Sequence, residues 1–123
     1  MIDLEFFDSS GNTGVIKATV HKTGKLGFNS GASKLLKLEA GKHFNIGFNK
    51  ADANDTNLYL LPVNEPNEKS FKVIKAGEYY YIHIKNILRE RKIDYKNESV
   101  SYEIDEIEQN GKLLYRLERR NKK

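Results

Sequence analysis

The chain is predicted to form one α+β domain over residues 1–123, strand-rich, with two similar strand–strand–helix–strand–strand halves related by a pseudo-twofold. Three observations predict it. The element Val20-His-Lys-Thr-Gly24 returns 53 residues later as Val73-Ile-Lys-Ala-Gly77. After each copy, apolar residues pass from a short strand to helical spacing and then to alternation. Both segments close on a similar word, Leu58-Tyr-Leu-Leu61 and Leu114-Tyr-Arg-Leu117. The internal repeat spans 15–63 and 70–119, joined by the polar loop 64–69.

The elements follow in order. Ile2 to Phe7 reads as a strand preceding the first copy, with Asp8-Ser-Ser-Gly-Asn-Thr-Gly14 as its loop. Lys25-Leu-Gly-Phe28 is a short apolar strand after the Gly24 turn. Ala32, Leu35 and Leu36 fall at i, i+3 and i+4, and Asn29 or Ser30 is a competent N-cap. Phe44, Ile46 and Phe48 alternate with polar or small residues, as a half-buried strand requires. The second copy repeats the sequence of events. Glu78-Tyr-Tyr-Tyr-Ile82 is its strand, Ile84, Ile87 and Leu88 its helical stripe, and Val100, Tyr102 and Ile104 its alternating strand. Asn110-Gly111 signals a type I′ hairpin turn, where the first copy has the longer loop Ala51 to Asn57. A unit of about fifty residues is marginal alone. The copies are therefore expected to bury their helices and sheet faces against each other.

Composition narrows the function. The absence of Cys removes disulfides, thiolate chemistry and cysteine-ligated metals. No apolar run approaches the roughly eighteen residues of a membrane span, and Met1-Ile-Asp-Leu-Glu places acids where a signal peptide needs positive charge. A cytoplasmic protein with no membrane partner is expected. The net charge of +4 is unevenly spread. Residues 1–63 carry seven lysines against six acids, and residues 64–123 carry fourteen Lys or Arg against eleven. Arg116 to Lys123 alone holds five bases and one acid, so residues 1–115 sum to zero. Just upstream lies the acidic run Glu103, Asp105, Glu106 and Glu108.

Catalytic constellations are sparse. His21, His43 and His83 stand in different elements without metal-ligand spacing. No phosphate-cradling or dinucleotide-binding glycine motif occurs, and Gly24, Gly27 and Gly31 read as turn and close-packing residues. Asp52-Ala-Asn-Asp-Thr56 imitates a calcium loop but has Asn57 in place of its glycine and Val63 in place of its bidentate Glu. No enzyme activity, cofactor or metal is expected.

What remains is surface recognition. Ser70 to Lys85 interleaves aromatic residues with Lys72, Lys75, His83 and Lys85. On a strand, Tyr79 and Tyr81 face one way and Tyr80 the other. Exposed tyrosines beside lysines make a stacking platform for single-stranded nucleic acid; the same tyrosines could instead cover the core with their hydroxyls wet. Arg89, Arg91 and Lys92, together with Arg119 and Arg120 of the basic end, would add phosphate contacts if folding brought them to one face.

Two family resemblances follow from these residues. Thr23-Gly-Lys-Leu-Gly-Phe-Asn29, Leu35-Leu36, Leu38-Glu-Ala-Gly41, Phe44-Asn-Ile46 and Leu58-Tyr-Leu-Leu61 resemble the AbrB/SpoVT swapped-hairpin module. That resemblance implies duplex-DNA binding, with Lys22, Lys25, Lys34 and Lys37 as the matching positions. The family's proline at the strand–helix junction is absent, and Glu78 stands where the second copy would need Lys. Phe44–Asn49, Leu58–Val63, Phe71–Lys75 and Tyr79–Ile84, with the helix from Lys85, resemble in order the Whirly and PUR-type single-strand-binding modules. That order implies contacts from Tyr79, Tyr81, Lys72 and Lys75. Each resemblance covers about half the chain.

The expectation is a small non-catalytic binding module for DNA or RNA, single-stranded preferred over double-stranded. The tentative contacts are Lys72, Lys75, Tyr79, Tyr81, Lys85, Arg89, Arg91, Lys92, Arg119 and Arg120. The alternative is a protein-interaction or structural module with no nucleic-acid role, whose acidic and basic segments pair between copies or within a homodimer.

Overall fold

The computed structural model describes residues 2–4, 16–52 and 54–120. Its elements are β1 (Lys17–Val20), β2 (Lys25–Phe28), α1 (Ser30–Leu35), β3 (His43–Gly47), β4 (Leu58–Val63), β5 (Phe71–Lys72), β6 (Ile74–Ala76), β7 (Tyr79–His83), α2 (Lys85–Glu90), β8 (Val100–Gln109) and β9 (Lys112–Arg120). Of the strand expected over Ile2–Phe7, residues 2–4 have no regular structure, and residues 5–7 lie outside the described residues, as does the loop 8–14.

Four hairpins supply most of the sheet. β1 turns into β2 at Gly24 (φ +87°), and β6 into β7 at Gly77 (φ +65°). β8 turns into β9 through Asn110 (φ +52°) and Gly111 (φ +76°), the two left-handed residues of a type I′ turn. β3 and β4 pair across the longer 48–57 connection. Asn57 at the end of that connection accepts from Arg119 N–H at 3.0 Å, tying the loop to β9.

These hairpins join into one antiparallel sheet in the order β5-β3-β4-β9-β8-β1-β2-β7-β6. Only Val73 separates β5 from β6, so the two edges of the sheet meet in a single stretch of chain and the sheet is a nearly closed barrel. Val73 is fully buried. Its N–H donates to Lys42 O at 2.7 Å, and its carbonyl accepts from Gly41 N–H at 3.0 Å. The segment thus pairs with β3 on one side of Val73 and with β7 on the other.

The interior is filled by alternate residues of the strands. Ala18, Val20, Leu26, Phe28, Phe44, Leu58, Leu60, Ile82, Val100, Tyr102, Ile104, Tyr115 and Leu117 form one cluster, to which the helices add Ala32 and Leu88. Each helix has only six residues, too short to persist without that burial. Asn29 caps α1 by accepting from Ala32 N–H at 2.8 Å. Both helices end in the same way. Lys37 (φ +51°) and Lys92 (φ +55°) are left-handed, and the following Leu38 and Ile93 donate back to Ser33 O and Leu88 O, both at 2.9 Å. This is the Schellman arrangement with lysine where glycine is usual. Lys42 adds a side-chain cap to α1, its ammonium donating to Leu36 O at 2.8 Å and Lys37 O at 3.3 Å.

The α+β expectation is corrected here. The described chain is 45% strand and 11% helix, and its two short helices build no layer. Nor do the halves pack as separate units. β1 lies between β8 and β2, and β9 between β4 and β8, so strands of the two segments interleave in one sheet. The reason is physical: a four-stranded unit leaves unpaired edges, and here each segment's edges are satisfied by strands of the other. Among the described residues, no helix is long and apolar enough to cross a membrane.

Four tyrosines titrate above their ordinary value of 10.0. Burial raises Tyr102 and Tyr79, burial and then Glu106 raise Tyr115, and a hydrogen bond to Asp55 followed by burial raises Tyr59. A raised folded-state value means that this stability is fully present below the unfolded value and is lost as pH rises through the folded ones. Lys42, lowered chiefly by burial, acts in the opposite sense as one group against four. The urea midpoint is expected to hold to about pH 9 and to fall above about pH 10. A midpoint unchanged across that range, with all tyrosines ionising as free tyrosine does, would contradict the assignment.

Candidate nucleic-acid interface

The inward placement of Leu26, Phe28 and Ile82 determines what faces out. On β2 the outward positions are Lys25 and Gly27; on β7 they are Tyr79, Tyr81 and His83. Tyr80 takes the other side and packs against the core. The register sets Lys25 opposite His83 and Gly27 opposite Tyr81.

These side chains form a continuous aromatic ladder. Tyr79 and Tyr81 stack with ring centroids 6.1 Å apart and planes at 29°. His83 meets Tyr81 edge-on at 5.2 Å, and His21, in the β1–β2 turn, meets Tyr79 edge-on at 5.8 Å. The Tyr79 hydroxyl is hydrogen-bonded to His21 Nε2. Lys25 holds its ammonium 4.6 Å from the centre of the Tyr81 ring. Burial, and then the neighbouring Tyr81, raises the Tyr79 phenol, which is therefore neutral near pH 7.

Gly27 makes room for the ladder. A β-carbon there would collide with the Tyr79 hydroxyl and lie 2.7 Å from His21 Nε2. The missing side chain is the seat into which Tyr79 folds, and Tyr79 in turn covers Gly27. Gly24 has a related role at the turn: a β-carbon there would come within 2.8 Å of Lys85 Cβ, and Gly24 O accepts from Ile84 N–H at 2.9 Å. The β1–β2 turn is thereby seated against the start of α2.

The predicted contacts divide into three groups. Tyr79 and Tyr81 are together on the ladder, and Lys85 follows them as the first residue of α2. Lys85 and Arg89 line an open groove of about 350 Å³ with Ile93, Asp94, Tyr95 and Lys96. The second group points elsewhere. Lys72 is paired in register with His43, Lys75 lies 5.9 Å from the Tyr80 ring, Arg91 stacks 4.4 Å from the centre of Phe48, and Lys92 terminates α2.

The third group is the basic end, which is internally neutralised. Arg116 makes a bidentate pair with Asp105, its direct cross-strand partner, at 2.7 and 3.2 Å. Arg120 lies 3.6 Å from Glu103 and 3.1 Å from Glu118, and Arg119 lies 3.7 Å from Glu98. Lys122 and Lys123 are outside the described residues.

Sequence reasoning sets His83 among the residues interleaved with the tyrosines without naming it as a contact, passes over His21 and Gly27, and names Lys25 only through the swapped-hairpin likeness. The available signal was the strand alternation that puts His83 in line with Tyr79 and Tyr81. No local pattern ties Gly27 to Tyr79, which is 52 residues away. Among the described residues, no group of three His, Asp or Glu side chains could hold a metal ion. Comparison with protein families, with characterised proteins and with solved structures finds no match to this chain.

Removing the seat tests this arrangement. Gly27→Ala is expected to destabilise the fold by about 1–3 kcal/mol by expelling the Tyr79 ring. In a Tyr79→Ala background the same change should be neutral, or stabilising by up to about 1 kcal/mol, because alanine suits a strand better than glycine. Urea unfolding of the four proteins measures the coupling; equal effects in both backgrounds would show that Tyr79 does not occupy the seat.

Proposed function

We propose that the protein is a small, non-catalytic, cytoplasmic nucleic-acid-binding module that takes single-stranded DNA or RNA on the outer face of β2 and β7. The observation that carries this reading is the outward placement of Tyr79 and Tyr81, stacked together with Lys25 over the ring, while Tyr80 alone serves the core. A core-covering role for all three tyrosines does not account for that arrangement.

Magnitudes favour displacement of Lys25 by a base. An exposed cation–π contact contributes about 0.5–1 kcal/mol, whereas stacking of a base on an aromatic side chain contributes about 1–3 kcal/mol. The ammonium that leaves the ring remains close enough to meet a phosphate. The 6.1 Å separation of Tyr79 and Tyr81 is too small for a base to enter between them, since two ring contacts need about 7 Å. Bases therefore cover the ladder from outside.

A second reading, a protein-interaction module, rests on a different face. Gly47, Tyr59, Leu61 and Leu114 line a shallow apolar groove of about 220 Å³ over β3, β4 and β9, and nearby Leu113 is 47% exposed. One titration separates the two. Anisotropy of a labelled oligothymidine at low salt is expected to show binding that Tyr81→Ala weakens about 5- to 150-fold. Failure of the intact protein to bind any single-stranded DNA or RNA at low salt would overturn the first reading and leave the second.

A further inference from the structure

We infer that the groove beside α2 is the phosphate subsite of a strand that continues off the tyrosine ladder, giving the interface a base-stacking half and a backbone half. The inference rests on the nucleic-acid reading above and adds to it a path and a division of labour. Three observations carry it.

The first is continuity. Tyr79, Tyr81 and His83 run along β7 toward its end, and Lys85 opens α2 two residues later, its Cβ packed toward the Gly24 turn. Lys85 is also a lining residue of the groove. The ladder and groove therefore share a border, with no intervening element. From residue 79 to 83 a strand advances about 13 Å, room for two or three nucleotides of an extended single strand before the groove begins.

The second is charge. Lys85, Arg89 and Lys96 face one carboxylate, Asp94, in about 350 Å³. Asp94 is already engaged, accepting from the Asn97 side-chain amide at 3.1 and 3.2 Å and from Asn97 N–H at 3.3 Å. The third is contrast. Every arginine of β9 has a carboxylate within 4.0 Å, whereas Lys85, Arg89 and Lys96, like the other described lysines, take part in none of the ion pairs among the described residues. Cations without carboxylate partners, in an open groove at the end of an aromatic ladder, suit a phosphodiester backbone. Tyr95, on the groove wall, offers one more ring surface.

Salt dependence tests the division. Each phosphate neutralised on a single strand contributes about 0.7 to the slope of log K against log salt. For a labelled ten-nucleotide oligothymidine, Arg89→Ala/Lys96→Ala is expected to reduce the slope by about 1.4 and to weaken binding most at low salt. Tyr81→Ala should weaken binding at every salt concentration and leave the slope unchanged. Arg119→Ala/Arg120→Ala, in the neutralised hairpin, should alter the slope by less than about 0.3. Circular dichroism confirms that each variant is folded. A wild-type slope in Arg89→Ala/Lys96→Ala, with Tyr81→Ala still weakening binding, would overturn the groove and spare the ladder. Loss of all binding in the intact protein would overturn both. Displacement of the oligonucleotide by micromolar inorganic phosphate at matched ionic strength would mark a free-phosphate site and overturn the backbone path.

Discussion

The structure depends on the closure at Val73. A sheet that ended at β3 on one side and β7 on the other would present two rows of unpaired backbone groups. The 71–76 segment meets both, pairing through Phe71 and Lys72 with β3 and through Ile74 to Ala76 with β7. Val73, buried between them with its own N–H and carbonyl hydrogen-bonded to the Gly41–Lys42 turn, holds the two registers together. Register decides which side chains are core. Because side chains alternate, a slip of one residue in β7 would send Tyr79 and Tyr81 inward and Tyr80 and Ile82 outward. The ladder exists on the surface because the closure allows only one of these arrangements.

Electrostatics divides the same barrel into a spent region and an available one. The basic end and the acidic run of the sequence meet across the β8–β9 hairpin, so the most charged segment of the chain is largely self-compensated. Such exposed pairs contribute little stability, about 0.2–1 kcal/mol each, but they consume the charge that the pI of 9.2 advertises. Lys25 on β2 and Lys85, Arg89 and Lys96 around α2 take part in none of the ion pairs among the described residues, and Lys25 lies over the Tyr81 ring. A modest local excess of charge next to stacking surface is a more specific feature than a basic tail.

The parts of this fold legible in the sequence are those governed by neighbours along the chain. Asn110-Gly111 specifies its turn, Asn29 its cap, and the alternation of Val100, Tyr102 and Ile104 its inward face. The opposition of Tyr80 to Tyr79 and Tyr81 follows from strand periodicity, although which side is core does not. The rest depends on distant partners. β1 with β8, β2 with β7 and β4 with β9 are pairings across the whole chain, and short Leu- and Tyr-rich strands carry little information about which edge they will meet. Two side-by-side halves therefore satisfy the local pattern, whereas the interleaved barrel is set by these long-range pairings. Lys37 and Lys92 hid the helix ends, since the usual sign of a left-handed cap is glycine. Gly27 looked like a packing glycine; only the folded register reveals that what packs there is Tyr79.

The central claim is that bases lie on the Tyr79–Tyr81 ladder, and ultraviolet cross-linking with mass spectrometry reads this directly. Trypsin releases the ladder in one peptide, Ala76 to Lys85. After irradiation of the intact protein with a single-stranded oligothymidine, the account predicts the nucleotide adduct on Tyr79 or Tyr81 within that peptide, with Tyr80 unmodified. Adducts confined to Phe48, Tyr59 or the β9 strand, with the 76–85 peptide unmodified, would contradict it.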